Sequence, residues 1–127
     1  MTEPAPPQHT IAAALLGAQR VVALTGLRLG YAEETDLTHA TGQWAKHASL
    51  EALLTDPAAF WAFAYPAACE IAKRTPYPAH HAVARLTQAG IVSDLITQSV
   101  DHLHTDAGST DVIEVHGNIL TARCTRC

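Results

Sequence analysis

Residues 79–97, AHHAVARLTQAGIVSDLIT, join a helical pattern to a strand pattern and decide the fold class. Apolar residues fall on one face of a helix over Ala79–Ala89, and Gly90 follows where a glycine commonly ends a helix. Ile91–Thr97 is a short, mostly apolar run, which is typical of a strand buried in a parallel sheet. We therefore expect a helix that leads directly into a central strand.

Apolar runs on either side of this unit extend the predicted sheet. Val21–Thr25 (VVALT) predicts an earlier buried strand, and Val112–Val115 predicts a short later one. Ile119–Ala122 is a candidate for a further strand. Strands that alternate with helices in this order predict an α/β fold, here a partial doubly wound, Rossmann-like parallel sheet.

The segment between the first two predicted strands contains a loop and two helix starts. Residues 26–42 lack a clear hydrophobic period and predict a long loop. Ser49 can cap one helix, and Asp56 followed by Pro57 marks the start of another. Pro66 lies inside the second helix and should kink or end it.

Composition excludes several classes of function. The chain has 127 residues, 48% of them apolar and 16% charged, which is typical of one globular domain. The net charge is -4 and the lysines and arginines are scattered, so the sequence does not favour nucleic-acid binding. Three cysteines, an odd number, do not favour a disulfide framework.

The sequence predicts neither a membrane span nor a secreted protein. No apolar run approaches the ~20 residues that cross a bilayer. The first ten residues, MTEPAPPQHT, place a glutamate and three prolines before any apolar stretch, which is the wrong order for a signal peptide. We therefore expect a cytoplasmic protein.

Four pieces of the second half resemble sirtuin motifs, in the order of that family. Residues 97–104 (TQSVDHLH) resemble T-Q-N-V-D-G-L-H, and residues 107–109 match A-G-S. Residues 112–117 (VIEVHG) resemble V-x-E-x-H-G, and residues 123–127 (RCTRC) contain C-x-x-C. The chain thus resembles the sirtuins, which are NAD-dependent protein-lysine deacylases.

The resemblance implies a reaction and assigns residues to it. A sirtuin transfers the acyl group of an acylated lysine to ADP-ribose and releases nicotinamide. By position, His116 is the general base on a ribose hydroxyl, a role that suits an imidazole with a reference pKa near ~6.5. The resemblance also implies that Gly26, Gln98, Ser99 and Asp101 contact NAD.

The resemblance also implies structural Zn²⁺ and a division of the chain. Cys124 and Cys127 match half of a four-cysteine zinc site, whereas a closed site needs four ligands. We expect a flexible tail at residues 1–9, a partial NAD-binding domain at residues 10–122, and the first half of a zinc ribbon at residues 123–127. On this reading the chain stops within the zinc site.

Several positions depart from the sirtuin pattern. The nucleotide loop of the family, G-A-G-x-S, is replaced by GLRLG at residues 26–30, which adds bulk where a backbone must approach a pyrophosphate. Ser99 replaces asparagine, and His102 replaces glycine. If that glycine position needs a positive φ, the histidine costs on the order of 1 kcal/mol.

Three functions remain open from the sequence. The first is the deacylase, although we expect these 127 residues alone to be inactive because the phosphate loop is altered and the zinc site is incomplete. The second is a degenerate, non-catalytic sirtuin-like module that binds a partner or nothing. The third is a hydrolase that cleaves the nicotinamide bond with water. A doubly wound sheet that lacks its remaining strands would also leave an unpaired strand at its edge, and such an edge favours self-association.

Overall fold

The structure, a computed structural model, describes residues 8–26, 29, 46, 47 and 49–124. The helices are α1 (Gln8–Gly17), α2 (Leu50–Thr55), α3 (Pro57–Ala72), α4 (Pro78–Gln88) and α5 (Leu103–Asp106). The strands are β1 (Val22–Thr25), β2 (Asp94–Thr97) and β3 (Ile113–Glu114).

The strands form one parallel sheet in the order β1-β2-β3. Thr25 pairs with Thr97, and Thr97 pairs with Glu114. The carboxyl ends of the strands therefore lie side by side along one edge, where α/β folds commonly carry their ligand sites. The prediction of a partial doubly wound α/β sheet is confirmed.

One face of the sheet is buried beneath α4 and α5. Leu95 is 1% exposed, and Thr25 and Thr97 on the same face are also buried. His104 on α5 lies within hydrogen-bond distance of Thr25, and its ring contacts that of His80 on α4. Because side chains alternate along a strand, the buried residues share this face.

The opposite face carries an apolar row across all three strands. Leu24 pairs with Ile96, and Ile96 pairs with Ile113, so the three side chains point to the same side. Ile96 is half-buried, whereas Leu24 is 68% exposed and Ile113 is 50% exposed. The two faces of this sheet thus differ sharply in burial.

The second strand begins later than the sequence predicts. The predicted start was Ile91, whereas β2 begins at Asp94. Gly90 has a φ of 70° and ends α4 in a left-handed turn. The amides of Ile91 and Val92 both donate to the carbonyl oxygen of Leu86 and are therefore committed to the helix end.

The candidate strand Ile119–Ala122 is wrong. Ile119 and Leu120 form a turn, and the residues that follow have no regular structure. The Asn118 side-chain oxygen accepts a hydrogen bond of 2.9 Å from the amide of Leu120. Such a local side-chain contact competes with strand pairing.

The two predicted helix starts are confirmed. The Ser49 hydroxyl accepts from the amide of Ala52, and the Asp56 carboxylate accepts from the amide of Ala59. α3 continues through Pro66, so the proline does not end it. Proline removes one helical hydrogen bond.

The first helix shortens the predicted tail. α1 begins at Gln8, so Gln8 and His9 are helical instead of belonging to a tail over residues 1–9. Residues 1–7 lie outside the described residues, as does most of the predicted loop at residues 26–42.

Candidate active site

Three predicted site residues meet at the carboxyl edge of the sheet. Gly26 follows β1, Gln98 follows β2, and His116 comes two residues after β3. The amide of Gln98 donates to the carbonyl of Thr25 over 2.9 Å, which continues the pairing beyond the strands. The amide of Val115 donates to the carbonyl of Thr97 over 3.1 Å, which brings the His116 turn to the same edge.

The same three residues are accessible from solvent. Gly26, Gln98 and His116 are all exposed. A Cβ atom added to Gly26 would meet no heavy atom within 4 Å, so the space beside its backbone is open. An open backbone at the end of the first strand fits a site that a nucleotide phosphate can approach closely. The next residues of the GLRLG loop, Leu27, Arg28 and Gly30, lie outside the described residues.

Ser99 and Asp101 lie beneath this exposed edge. Each is 5% exposed, in contrast to Gln98. The amide of Ser99 donates to the Thr97 hydroxyl over 3.0 Å, and the Asp101 carboxylate accepts from the amide of Leu103 over 3.1 Å. The backbone of Ser99 is therefore tied to the end of β2, and the side chain of Asp101 holds the start of α5.

A buried polar cluster supports the edge from below. The Thr25 hydroxyl lies 2.9 Å from the Thr97 hydroxyl and 2.9 Å from Nε2 of His104. The ring of His104 lies against that of His80, with centroids 4.9 Å apart. Nδ1 of His80 accepts from the amide of Tyr77 over 3.1 Å, which fixes the ring at the start of α4. The cluster thus joins both strand ends to both helices.

Burial sets the charge of the two histidines in this cluster. Desolvation lowers the pKa of His104, and the neighbouring His80 lowers it further, while Asp101 opposes the shift. Desolvation also lowers the pKa of His80 below its ordinary value. Both rings are therefore neutral at neutral pH. Nδ1 of His104 is buried and has no hydrogen-bond partner among the described residues, so a charged ring there would be poorly compensated.

Sequence reasoning did not single out this buried cluster. Its threonines end two of the predicted strands, and His104 lies in the motif of residues 97–104, and neither fact indicates a buried cluster. The signal that was available is the register itself: Thr25 and Thr97 each end a strand, and parallel pairing places them side by side. The position of α5, which brings His104 to Thr25, cannot be predicted from local sequence patterns.

His102 takes the left-handed conformation that was in question. Its φ is 66° at the position where the sirtuin motif has glycine. A side chain in this region costs on the order of 1 kcal/mol relative to glycine. The conditional prediction of backbone strain at His102 is therefore met.

The described residues do not supply a zinc site. Cys124 is exposed, and Cys127 lies outside the described part of the chain. Within the described part, no group of three or more histidine, cysteine, aspartate or glutamate side chains is arranged to hold a metal ion. The zinc ribbon stays a prediction, and no chemistry is derived from it.

The described chain is thus a Rossmann-like α/β unit with polar groups gathered at the carboxyl edge of a parallel sheet. A family model described as the Sir2 family matches residues 31–127. This match covers well over half of the chain, and the chain belongs to the Sir2 family, the sirtuins.

Curated relatives give the same result. The chain is 38% identical over 120 residues to an NAD-dependent protein deacetylase of Caldivirga maquilingensis, covering 89% of this chain and 46% of that protein. It is 44% identical over 91 residues to an NAD-dependent protein deacylase of Pyrococcus furiosus, covering 68% of this chain and 36% of that protein. The chain therefore spans less than half of the length of these two relatives.

Solved structures agree with the fold. A Sir2 homologue in complex with ADP-ribose superposes with a TM-score of 0.80 at 28% identity, covering 95% of this chain and 51% of that one. Sir2Tm bound to a propionylated peptide superposes with a TM-score of 0.76 at 28% identity, covering 94% of this chain and 48% of that one. Among the described helices, none has the length and apolar character that crossing a bilayer requires.

Proposed function

We propose that this chain carries the NAD-binding edge and the general base of an NAD-dependent protein-lysine deacylase. The observation that carries the proposal is the meeting of Gly26, Gln98 and His116, all exposed, at the carboxyl edge of one parallel sheet. Relatives named as deacetylases and deacylases, together with a related chain that holds ADP-ribose, support the same assignment.

The residues at this edge fit NAD in chemical type. The open backbone at Gly26 offers room for a phosphate, and the exposed amide of Gln98 can both donate to and accept from a carboxamide or a ribose hydroxyl. Ser99, through its backbone amide, and Asp101, through its carboxylate, would act one layer lower by holding the segment that follows Gln98. Bound NAD would supply the ribose carbon that loses nicotinamide and receives the acyl oxygen of an acylated lysine.

His116 supplies the proton acceptor in this proposal. Its imidazole is exposed in a turn at the end of β3. A neutral imidazole nitrogen can take a proton from a ribose hydroxyl within hydrogen-bond reach. His104 and His80 are poor candidates for the same role because both are buried. Their part is to keep the strand ends in place.

The relatives support one class of substrate. A Sir2 chain similar to this one was solved with an acetylated peptide, and Sir2Tm with a propionylated one. We propose an acylated lysine in a protein or peptide as the acyl donor. The relatives favour this function over an inactive interaction module and over a simple hydrolase.

A second contact is proposed for the exposed apolar face. Leu24 and Ile113 are 68% and 50% exposed on the same side of the sheet. Apolar rows of this kind in α/β sheets are normally covered. We propose that two copies associate through this side of the sheet when nothing else covers it.

Zinc is proposed only in a shared form. Cys124 and Cys127 provide two of the four ligands that a structural zinc site needs. For the 127 residues as given, two copies that share one ion would complete the set. Metal analysis of the purified chain should then give one zinc per two chains, and a value near zero would remove zinc from the proposal.

The test uses a chimera, because the chain spans less than half of its relatives. This chain would replace the matching half of the Caldivirga maquilingensis deacetylase, and nicotinamide release would be followed with an acetyl-lysine peptide. We expect release that depends on the peptide and falls by about 100-fold or more in His116→Ala. His9→Ala, at an exposed histidine on α1, is the matched control and should keep the full rate.

Two outcomes would contradict the proposal. If His116→Ala and His9→Ala release nicotinamide equally fast, His116 is not the general base. If free ADP-ribose forms without any peptide requirement, the chain belongs to a hydrolase. Mass analysis of the products distinguishes free ADP-ribose from its acylated form.

A further inference from the structure

The strained residue His102 is tied to the segment that carries His116. Nδ1 of His102 lies 3.1 Å from Oε1 of Glu114. Nδ2 of Asn118 lies 3.2 Å from Oε2 of Glu114 and 3.1 Å from Nδ1 of His102. These three side chains, His102, Glu114 and Asn118, form a compact group that we call the clamp.

The chemistry of the clamp fixes where its hydrogens lie. The Asn118 oxygen accepts from the amide of Leu120, so its nitrogen faces the other two members. A carboxylate only accepts, so the short contact to Glu114 requires a hydrogen on Nδ1 of His102. With that hydrogen in place, both His102 and Asn118 donate to Glu114, one to each oxygen, and the 3.1 Å contact between Nδ2 of Asn118 and Nδ1 of His102 joins two donors and is not itself a hydrogen bond.

Two members of the clamp lie on either side of His116 in the sequence. Glu114 and Asn118 lie two residues before and two residues after it in the chain. The amide of Gly117 donates to the Glu114 carbonyl over 3.0 Å, and the amide of Ile119 donates to the Val100 carbonyl over 2.9 Å. The turn that presents His116 is therefore held at both ends. Glu114, before it, is held by the His102 side chain, and Ile119, after it, is held by the backbone of Val100.

The side chains of the clamp are only partly buried. Those of His102 and Glu114 are 33% and 21% exposed. Hydrogen bonds that involve a charged acceptor are stronger than neutral ones, and partial burial limits screening by solvent. A glycine at position 102 would relieve the backbone but could not donate to Glu114.

We propose that His102 is a positioning residue for His116: its Nδ1 hydrogen bond to Glu114 fixes the turn from Glu114 to Asn118 and so sets the direction of the His116 ring. The role in catalysis rests on the proposed function, whereas the positioning itself does not. Left-handed backbone strain at His102 is then the cost of a donor at this position.

Three variants of the full chain test the clamp, and two of them, with asparagine and with aspartate, are nearly isosteric with each other. Asparagine and aspartate both tolerate a positive φ, and their terminal atoms can occupy the place of Nδ1. His102→Asn keeps an N–H that can donate to Glu114. His102→Asp places a second carboxylate there, which repels Glu114. His102→Gly removes the donor and the strain together.

The first readout does not depend on activity. Amide hydrogen exchange at Gly117 and Ile119 should speed up by about tenfold or more in His102→Asp and His102→Gly, because a hydrogen bond to a charged group is lost. His102→Asn should stay within about threefold of the wild type. The ring signals of His116 in nuclear magnetic resonance spectra should shift in His102→Asp and His102→Gly and stay in place in His102→Asn. Equal exchange and unchanged His116 signals in His102→Asp would overturn the proposal.

The second readout separates this proposal from the proposed function. In the nicotinamide-release assay on the chimera described above, His102→Asp should lower kcat by about tenfold with little change in KM for NAD, and His102→Asn should restore it. If exchange and His116 signals respond as expected but no variant, nor the wild type, releases nicotinamide, the clamp stands and the deacylase assignment fails. If the wild type is active and His102→Asp has its full kcat, the positioning role fails.

Discussion

The two faces of the same three strands have opposite environments. On the covered face, Leu95 is 1% exposed, and the Thr25 hydroxyl bonds both to the Thr97 hydroxyl and to Nε2 of His104. On the open face, Leu24 is 68% exposed although it comes directly before Thr25 in the chain. The covered face is packed within the described part of the chain, whereas the open face presents apolar side chains to solvent.

This difference explains where function can be located. The carboxyl edge, with Gly26, Gln98 and His116, is built on residues of the covered face. Its geometry therefore depends on the polar cluster at the strand ends and on the clamp, and not on the open face. Changes to the two faces should have different effects, and the largest of these effects concerns stability.

The largest effect is expected from matched leucine truncations. Leu95→Ala removes a fully buried side chain from β2 and should lower the free energy of unfolding by about 2–5 kcal/mol. Leu24→Ala, on the neighbouring strand but on the open face, should change it by less than about 1 kcal/mol. Urea denaturation measures both, and equal losses would contradict the assignment of the two faces.

A smaller loss is expected from the polar cluster. Thr25→Val keeps the shape of the side chain but removes the partner of both the Thr97 hydroxyl and Nε2 of His104. The Thr97 hydroxyl keeps the amide of Ser99 as a partner, whereas Nε2 of His104 loses the Thr25 hydroxyl, which should cost about 1–3 kcal/mol. Thr110→Val, at an exposed threonine, is the control and should be neutral within about 0.5 kcal/mol. A neutral Thr25→Val would show that the cluster adds no stability.

The covered face should also make stability depend on pH. The pKa values of His80 and His104 are lowered in the folded chain, chiefly by burial. Below about pH 6.5 the unfolded chain takes up protons that these folded rings resist, so stability is fully present above that pH and falls as the pH decreases. Urea denaturation at pH 7.5 and pH 5.5 should show this loss, and His104→Gln should reduce the difference. Constant stability over this range would contradict the buried, neutral state of the rings.

The smallest effect on folding is expected on the open face. Leu24→Lys together with Ile113→Lys should leave the stability of the monomer within about 1 kcal/mol of the wild type. The double variant should shift sedimentation toward a monomer at concentrations where the wild type associates, because two exposed apolar groups are replaced by charges. A wild type that is monomeric at every concentration would remove the proposed contact between copies.

The sequence predicted the elements with local signals. Ser49, Asp56 and Gly90 mark helix ends through contacts within a few residues, and the structure confirms all three positions. The strand candidate at Ile119–Ala122 failed because the Asn118 side chain forms a turn that hydrophobicity does not reveal. The predicted start of β2 was too early because the amides of Ile91 and Val92 donate to the carbonyl oxygen of Leu86 at the end of α4 and do not pair with a strand.

The site was predicted less completely than the fold. Motif resemblance assigned His116, Gln98 and Gly26, and parallel pairing does bring them to one edge. Burial was outside the reach of the sequence, so nothing predicted that Asp101 would lie beneath that edge while Gln98 stays exposed. The clamp was missed because His102 lies 12 residues from Glu114 and 16 from Asn118, and only the fold brings it to them.

The most direct test of the account is a calorimetric titration of NAD into the folded chain. The central claim is that the exposed carboxyl edge binds NAD, so we predict saturable binding at about one site per chain. Gln98→Ala should weaken it by about tenfold, as expected for a lost hydrogen bond, whereas Gln19→Ala at an exposed glutamine away from the edge should not. Absence of binding in a folded sample, or equal affinity of the two variants, would contradict the claim.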